Sequence, residues 1–433
     1  MPKSVPGAHD GCHEAATSTC AGQGRALSSA TSQWFVACRR AFLRFLFLGC
    51  TTRLFLERSS LAAAAATRRL GGGLPRLRRP PRWRSCTHAC AAPPPPIAAT
   101  PSRALPSALR PDARVLMLGE GNFSFAAAMA SRHPSLQLTA SSLELEEDAR
   151  ALWGAGPALA ALDAAGVTRL HGVNATLLEH NAQLAGRVFD RVLFTFPHSG
   201  AKGRIHVNRA LLARFARSVA AAGVLAPGGA VEVCLAAGQG GTPADGEALR
   251  SAPGDSWQLG LQAAEGGLVL AAAEGFDDDA WRALGYSSAG CWRGLGRPQP
   301  TRDHAFRARA GVCHTLLPEG AAGAVAPWPA RFDLDVSLWV PPLAADGAQQ
   351  AMADAVAAAA AATVGADAVA GAGVVNHWVR PEDGRNSLCV RITYRSVLRA
   401  MTQARALEMH DTVRAALPMA LPVQVRTRTD ALH

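Results

Sequence analysis

At 433 residues, 49% of them hydrophobic, the chain can bury one large α/β core with material left for a second, smaller domain. Its net charge of +11 is unevenly placed: residues 1–110 hold 15 Arg and Lys3 against Asp10, Glu14 and Glu57, a local charge of +13 that leaves −2 for the remainder. The basic balance therefore belongs to the N-terminal extension, and it is excluded as evidence that the folded body binds nucleic acid.

Residues 1–110 are expected to be disordered. Their Arg-rich, acid-poor composition, with Arg39-Arg40, Arg53, Arg58 and Arg68-Arg69 among Ser and Ala, matches an organelle transit peptide and points to a mitochondrion or plastid. A low-complexity extension, on a protein of the cytoplasm or nucleolus, is the alternative. The longest apolar run, Ala41 to Gly49, is too short to span a bilayer and carries Arg44 at its centre, so no membrane partner is expected. Cys86, His88 and Cys90 are followed by no second ligand pair, and no metal is expected. Six of the ten cysteines lie in the extension and the other four are scattered singly, with no disulfide framework visible.

The Pro- and Arg-dense stretch from Pro75 to Pro111 cannot form core elements, which puts the start of the folded body near Arg114. A buried strand over Val115–Leu118 leads into a helix over Ala126–Ser131, a strand over Leu136–Ala140 and a helical pattern through 146–165. Another strand over Phe189–Phe194, a long helix over 205–222 and a strand over Gly229–Leu235 follow. Strands alternating with helices imply a mostly parallel, doubly wound sheet over 111–310. A Gly/Ala/Pro-rich passage over 311–327 reads as a linker. Over 328–433 the order is strand (332–340), helix (346–363), a hairpin pair (373–379 and 387–394), helix (402–415) and strand (422–426), the βαββαβ order of a ferredoxin-like α+β plait.

Two constellations carry chemistry. Gly119-Glu120-Gly121-Asn122 stands where a strand ends and a helix begins, and glycine there lets the backbone bend and a ligand approach without a Cβ clash. Glu144, 25 residues after Gly119 and just past the second strand, is placed to accept hydrogen bonds from a ribose diol. A third glycine of the phosphate-binding fingerprint is missing, which argues for a ligand without a pyrophosphate. The alternative is a plain tight turn, with Glu144 capping the next helix. Asn174 could meet an adenine edge or be an ordinary turn residue.

The second constellation, Thr195-Phe196-Pro197-His198, follows a strand at the edge of the sheet where ligands bind. A planar base could stack on Phe196, Pro197 would stiffen the wall, and Lys202 or Arg204 could hold phosphate. His198 has a side-chain pKa suited to proton transfer near neutrality, or it serves only to hold the loop.

Leu118 to Phe125 (LGEGNFSF), Ser142-Leu-Glu144-Leu-Glu146-Glu147, Asn174-Ala-Thr176, the run Phe189 to His198, Asn208 and Leu211-Leu212 together resemble the large-subunit rRNA uridine-N3 methyltransferase family over about 114–310. That resemblance implies S-adenosylmethionine as cofactor, with Gly119, Gly121 and Glu144 in its pocket, and a Rossmann-like methyltransferase sheet. Removing the proton from uridine N3 would then fall to His198. The family usually has Asn at position 195, Asp at 174 and Tyr-Asp at 143–144, where this chain has Thr195, Asn174 and Leu143-Glu144.

Asp335-Val-Ser337-Leu-Trp339, Gly384-Arg385, the run Ser387 to Ser396 and Met401-Thr402 resemble the ferredoxin-fold anticodon-binding domain of phenylalanyl-tRNA synthetases over about 328–428, and the pairing of both domains is similar to the ferredoxin-fold anticodon-binding domain-containing proteins. No synthetase catalytic domain accompanies it. Arg385, Arg391 and Arg395 are candidate phosphate ligands, Arg391 and Arg395 sharing one strand face, unless that face is simply solvated. The expected activity is RNA base methylation with rRNA or tRNA as partner. The rival is a non-catalytic RNA- or tRNA-binding protein on an inherited fold, with a small-molecule methyltransferase third.

Overall fold

A computed structural model describes residues 109–200, 204–245, 256–288, 311–343 and 345–427. The transit-peptide expectation, the Cys86–Cys90 cluster and Lys202 lie outside these residues.

The first sheet has seven strands. β1 (Arg114–Leu118), β2 (Gln137–Ser141), β3 (Thr168–Leu170), β4 (Phe189–Thr195) and β5 (Leu225–Ala236) run parallel, while β7 (Gly311–Pro318) lies antiparallel between β5 and β6 (Leu268–Phe276). The order is β3-β2-β1-β4-β5-β7-β6. The chain reverses its direction of travel across the sheet between β1 and β4, so a crevice opens above their C-terminal ends. The doubly wound sheet expected from the alternating pattern is present.

Helix α1 (Ser124–Arg132) buries Phe125, Ala126 and Met129 under the sheet. The single helical pattern over 146–165 is two helices, α2 (Glu146–Trp153) and α3 (Gly156–Ala164). Gly154 stops the first in a left-handed conformation, and Pro157, which has no N–H to donate, begins the second. Helix α4 (Ile205–Ala222) covers the other face, burying Leu212, Phe215 and Val219 against β4 and β5. Short helices α5 (Leu259–Ala264) and α6 (Asp278–Ala283) flank β6.

The segment expected as a linker is corrected: its first eight residues are β7. Alternating Val312, His314 and Leu316 turn inward, and a buried antiparallel strand made late in the chain carries no local βαβ signal. The expectation of no disulfide is corrected with it. Cys234 and Cys313 are bonded across the β5–β7 register, a pair 79 residues apart that exists only once β7 is inserted.

The second sheet runs β11-β8-β10-β9, from β8 (Phe332–Val340), β9 (Val369–Val379), β10 (Asn386–Tyr394) and β11 (Gln424–Val425). Helices α7 (Ala348–Val364) and α8 (Gln403–Ala420) pack on one face through Val356, Ala360, Val413 and Leu417, against Leu338, Val390 and Ile392. This is the expected plait. Glu319, just past β7, accepts hydrogen bonds from the Ala400 N–H at 3.0 Å and from Arg405 Nη1 at 2.7 Å, tying the two sheets' domains together.

Candidate functional site

A cavity of about 380 Å³ opens at the strand-order reversal, within the range of small-molecule sites. Ten of the sequence-predicted residues line it: Gly119, Glu120, Gly121, Asn122, Glu144, Asn174, Thr195, Phe196, Pro197 and His198.

The glycine turn is conformationally demanding. Gly119 has φ +72°, and a Cβ there would stand 2.8 Å from the Phe194 ring. Phe123 is also left-handed, at φ 59°, which aims the start of α1 at the cavity. Asn122 locks the turn. Its Oδ1 accepts from the Ser124 N–H and hydroxyl at 3.1 and 2.8 Å, and its Nδ2 donates to the Ser287 carbonyl at 2.9 Å. Asn122 thus holds the segment after α6 over the cavity.

Glu120 is buried. One carboxylate oxygen accepts the Ala126 N–H at 3.1 Å, and Thr195 also hydrogen-bonds to it. Burial pushes its pKa up to about 7, and those two bonds restrain the rise. Tyr286 beside it is raised as well, chiefly by its own burial and then by the Glu120 charge.

Glu144 is half-buried, and its carboxylate has no hydrogen-bond partner among the described residues, while its backbone carbonyl accepts from Ser142 Oγ at 2.7 Å. It caps no helix: α2 begins after Leu145, with no side-chain cap. Asn174 Oδ1 accepts from the Thr176 N–H and hydroxyl at 2.9 and 2.8 Å, which leaves its amide hydrogens to donate.

The loop after β4 is held from several sides. Phe196, at φ 48°, donates its N–H to the Cys234 carbonyl, and its ring packs edge-on against Phe276 at 5.1 Å. Buried Asn208 on α4 accepts from both the N–H and hydroxyl of Ser199. His198 Nδ1 accepts the Gly200 N–H at 2.9 Å, so a neutral His198 carries its proton on Nε2. That hydrogen bond ties His198 to the backbone of its own loop.

Sequence reasoning missed Trp153, Tyr286 and Ser287, which also line the cavity. Trp153 Nε1 is buried without a partner among the described residues. A lone aromatic on a helix gives no sequence signal beyond core packing.

Residues 116–290 match the family model described as rRNA (uridine-N3-)-methyltransferase BTM5-like. The resemblance drawn from the motif residues is thereby borne out over this part of the chain. The chain is also 41% identical over 183 residues to the ferredoxin-fold anticodon-binding domain-containing protein 1 homolog of Mus musculus, covering 40% of this chain and 28% of that protein. Its Homo sapiens counterpart is 41% identical over 179 residues, with the same coverage. The matched segment thus spans little more than a quarter of these relatives. Among solved structures, a 16S rRNA methyltransferase KamB is 22% identical, with 47% of this chain and 86% of that chain covered at a TM-score of 0.30.

Among the described residues, none of the candidate RNA ligands lines the cavity. Arg204 lies at the N-terminal end of α4. Arg391 is held by Asp335 in a two-pronged ion pair at 2.7 and 2.9 Å. Arg395 falls just past the end of β10, exposed, and donates its N–H to the Ala368 carbonyl. Arg385 stands elsewhere, over the Trp339 ring at 4.4 Å. Among the described residues, no helix is long and apolar enough to cross a membrane and no cluster of metal ligands occurs.

Proposed function

We propose that the first domain methylates a base nitrogen in RNA, uridine N3 of rRNA foremost, using S-adenosylmethionine. The observation that carries this is the unpartnered Glu144 carboxylate beside a turn that tolerates no Cβ, inside a domain matching an rRNA methyltransferase model.

The cavity fits the cofactor. It has two carboxylates and, among the described residues, no Lys or Arg lining it, which suits a ligand bearing a sulfonium and an ammonium group rather than a pyrophosphate. Gly119 and Gly121 admit it against the backbone, Glu144 accepts from the ribose diol, and Asn174 offers its amide to the adenine edge. When bound, S-adenosylmethionine supplies an electrophilic methyl group.

The chain's own residues handle the base. Uridine N3 must lose its proton before it can act as a nucleophile. Glu120, whose pKa burial lifts to about 7, is the acceptor within the cavity, and its hydrogen bonds to the Ala126 N–H and Thr195 restrain that rise. His198 gives its Nε2–H to a base carbonyl, where negative charge grows as the proton leaves. Phe196 and Pro197 wall the slot and exclude water. An active site of this kind gains most of its rate from positioning.

Calorimetry with S-adenosylmethionine tests the assignment. Micromolar binding that Glu144→Ala weakens by about 1–3 kcal/mol, with unchanged folding stability, supports it; absence of binding overturns it. Thr195, where the resembling family carries Asn, favours a second reading, a non-catalytic RNA-binding protein. Cofactor binding without transfer of a labelled methyl group to rRNA would select that one.

A further inference from the structure

One register row of the first sheet joins the loop after β4 to the bonded cysteines. Across β4, β5 and β7 it reads Thr195, Cys234, Cys313. Partners in register share a face of the sheet, so the disulfide lies beside Thr195, in the packed cluster that holds Phe276 and the Phe196 ring. The Cys234 carbonyl accepts the Phe196 N–H at 2.8 Å. Gly311, two residues before Cys313, lies so close to the Phe196 ring that a Cβ there would stand 2.9 Å from it. Both the backbone and the ring of Phe196 therefore rest on the two strands that the bond joins.

The bond is open to exchange from one side. Cys234 is fully buried, whereas Cys313 is half-buried, so an attacking thiolate reaches the Cys313 sulfur first. Strand pairing does not depend on the bond, because β5 and β7 are in register from Val231 opposite Leu316 to Ala236 opposite Gly311. Opening it leaves the two sulfurs as neighbours. A monothiol attached to Cys313 would be expelled again by Cys234, while a dithiol completes the reduction with its own second thiol. Two thiols in van der Waals contact occupy more space than two bonded sulfurs, so reduction forces the cluster around Phe196 to repack.

We propose that Cys234 and Cys313 are a redox modification site for a dithiol, and that their bonded state holds Phe196 and Thr195 in place for the target base. A thiolate of the reagent attacks the Cys313 sulfur, and the Cys234 sulfur leaves with the electron pair of the S–S bond and takes up a proton. The second thiol of the reagent, losing its proton, then displaces Cys313, which is protonated in turn. The reagent ends as a disulfide, having given up two electrons and two protons, and the protein ends with two thiols. The effect on methyl transfer rests on the methyltransferase reading of the first domain; thiol exchange and the loosening of Phe196 do not.

Maleimide labelling and hydrogen exchange of the full-length chain, in buffers of reduced or oxidised dithiothreitol, test it. Peptide mass mapping separates Cys234 and Cys313 from the other cysteines. In reduced buffer both are expected to take the label, with loss of protection at the Phe196 amide while β1 and β2 stay protected. Methyl transfer is expected to fall about 10–100-fold, the scale of a displaced wall of the slot, and oxidised dithiothreitol should restore both readouts. Cys313→Ser should match the reduced parent in either buffer, and Cys389→Ser, at a free cysteine of the second domain, should respond as the parent does. The proposal is overturned if both cysteines take the label in oxidised buffer, or if reduction costs the whole first sheet its protection. Label that enters while Phe196 protection, or the rate of an active enzyme, stays unchanged overturns it too. Failure to bind S-adenosylmethionine in either buffer, with Phe196 still responding, would refute the methyltransferase reading and leave this site standing.

Discussion

Asn208 Oδ1 accepts both the backbone N–H and the hydroxyl of Ser199, at 3.1 and 2.7 Å, so one buried amide on α4 fixes the loop that carries Pro197 and His198. Asn208→Ala removes the acceptor from two donors and should destabilise the fold by about 1–2 kcal/mol. Methyl transfer should fall by more than stability does. Asn208→Asp keeps Oδ1 and should retain more activity, as single-turnover rates against thermal denaturation will show.

Glu120 is raised from its usual range to about 7 by burial, and the deprotonated form is the one that accepts a proton. Parent activity should therefore rise with pH through about 7 and level off above it, and Glu120→Gln should be slow with no such step. A raised carboxyl also has a stability sign. Its contribution is fully present below the unfolded value of 4.5 and is lost as pH rises through about 7. Glu120→Gln should accordingly gain stability relative to the parent between those two pH values. Denaturant titrations below pH 4.5 and above about 7 measure the difference, and a parallel shift of both proteins would contradict it.

Gly119 combines a left-handed φ of +72° with a Phe194 carbon 2.8 Å from where a Cβ would lie. Gly119→Ala incurs both backbone strain and overpacking, about 2–4 kcal/mol together. A lowered melting temperature together with weakened S-adenosylmethionine binding is the expected pair of changes.

Glu319 accepts from the Ala400 N–H and from both Arg405 Nη atoms, at 2.7 to 3.1 Å. Glu319→Ala should free the junction without touching either core. Hydrogen exchange should quicken around Ala400 and Arg405 but stay slow in β8 and β10. Uniform acceleration across the second sheet would show instead that Glu319 supports the whole domain.

Much of the architecture is legible in the sequence because its signals are local. Alternating and 3.6-residue apolar patterns mark most of the elements from β1 to β5 and the entire plait, and Gly119 and Gly121 mark the ligand turn, since backbone freedom depends on the residue itself. The same local logic placed Glu144 and the loop from Thr195 to His198 beside that turn. Tertiary structure alone decided the rest. The long-range pairing of β7 made a strand of an expected linker and joined Cys234 to Cys313. Burial under α1, with Thr195 and the Ala126 N–H as partners, brought the Glu120 pKa near neutrality. Residues from all four strands of the second sheet, or the turns beside them, put three arginines around Trp339, while Arg391 was neutralised by an aspartate 56 positions earlier. Acidity and charge pairing depend on dielectric and on neighbours brought together by folding, and no window of sequence contains them.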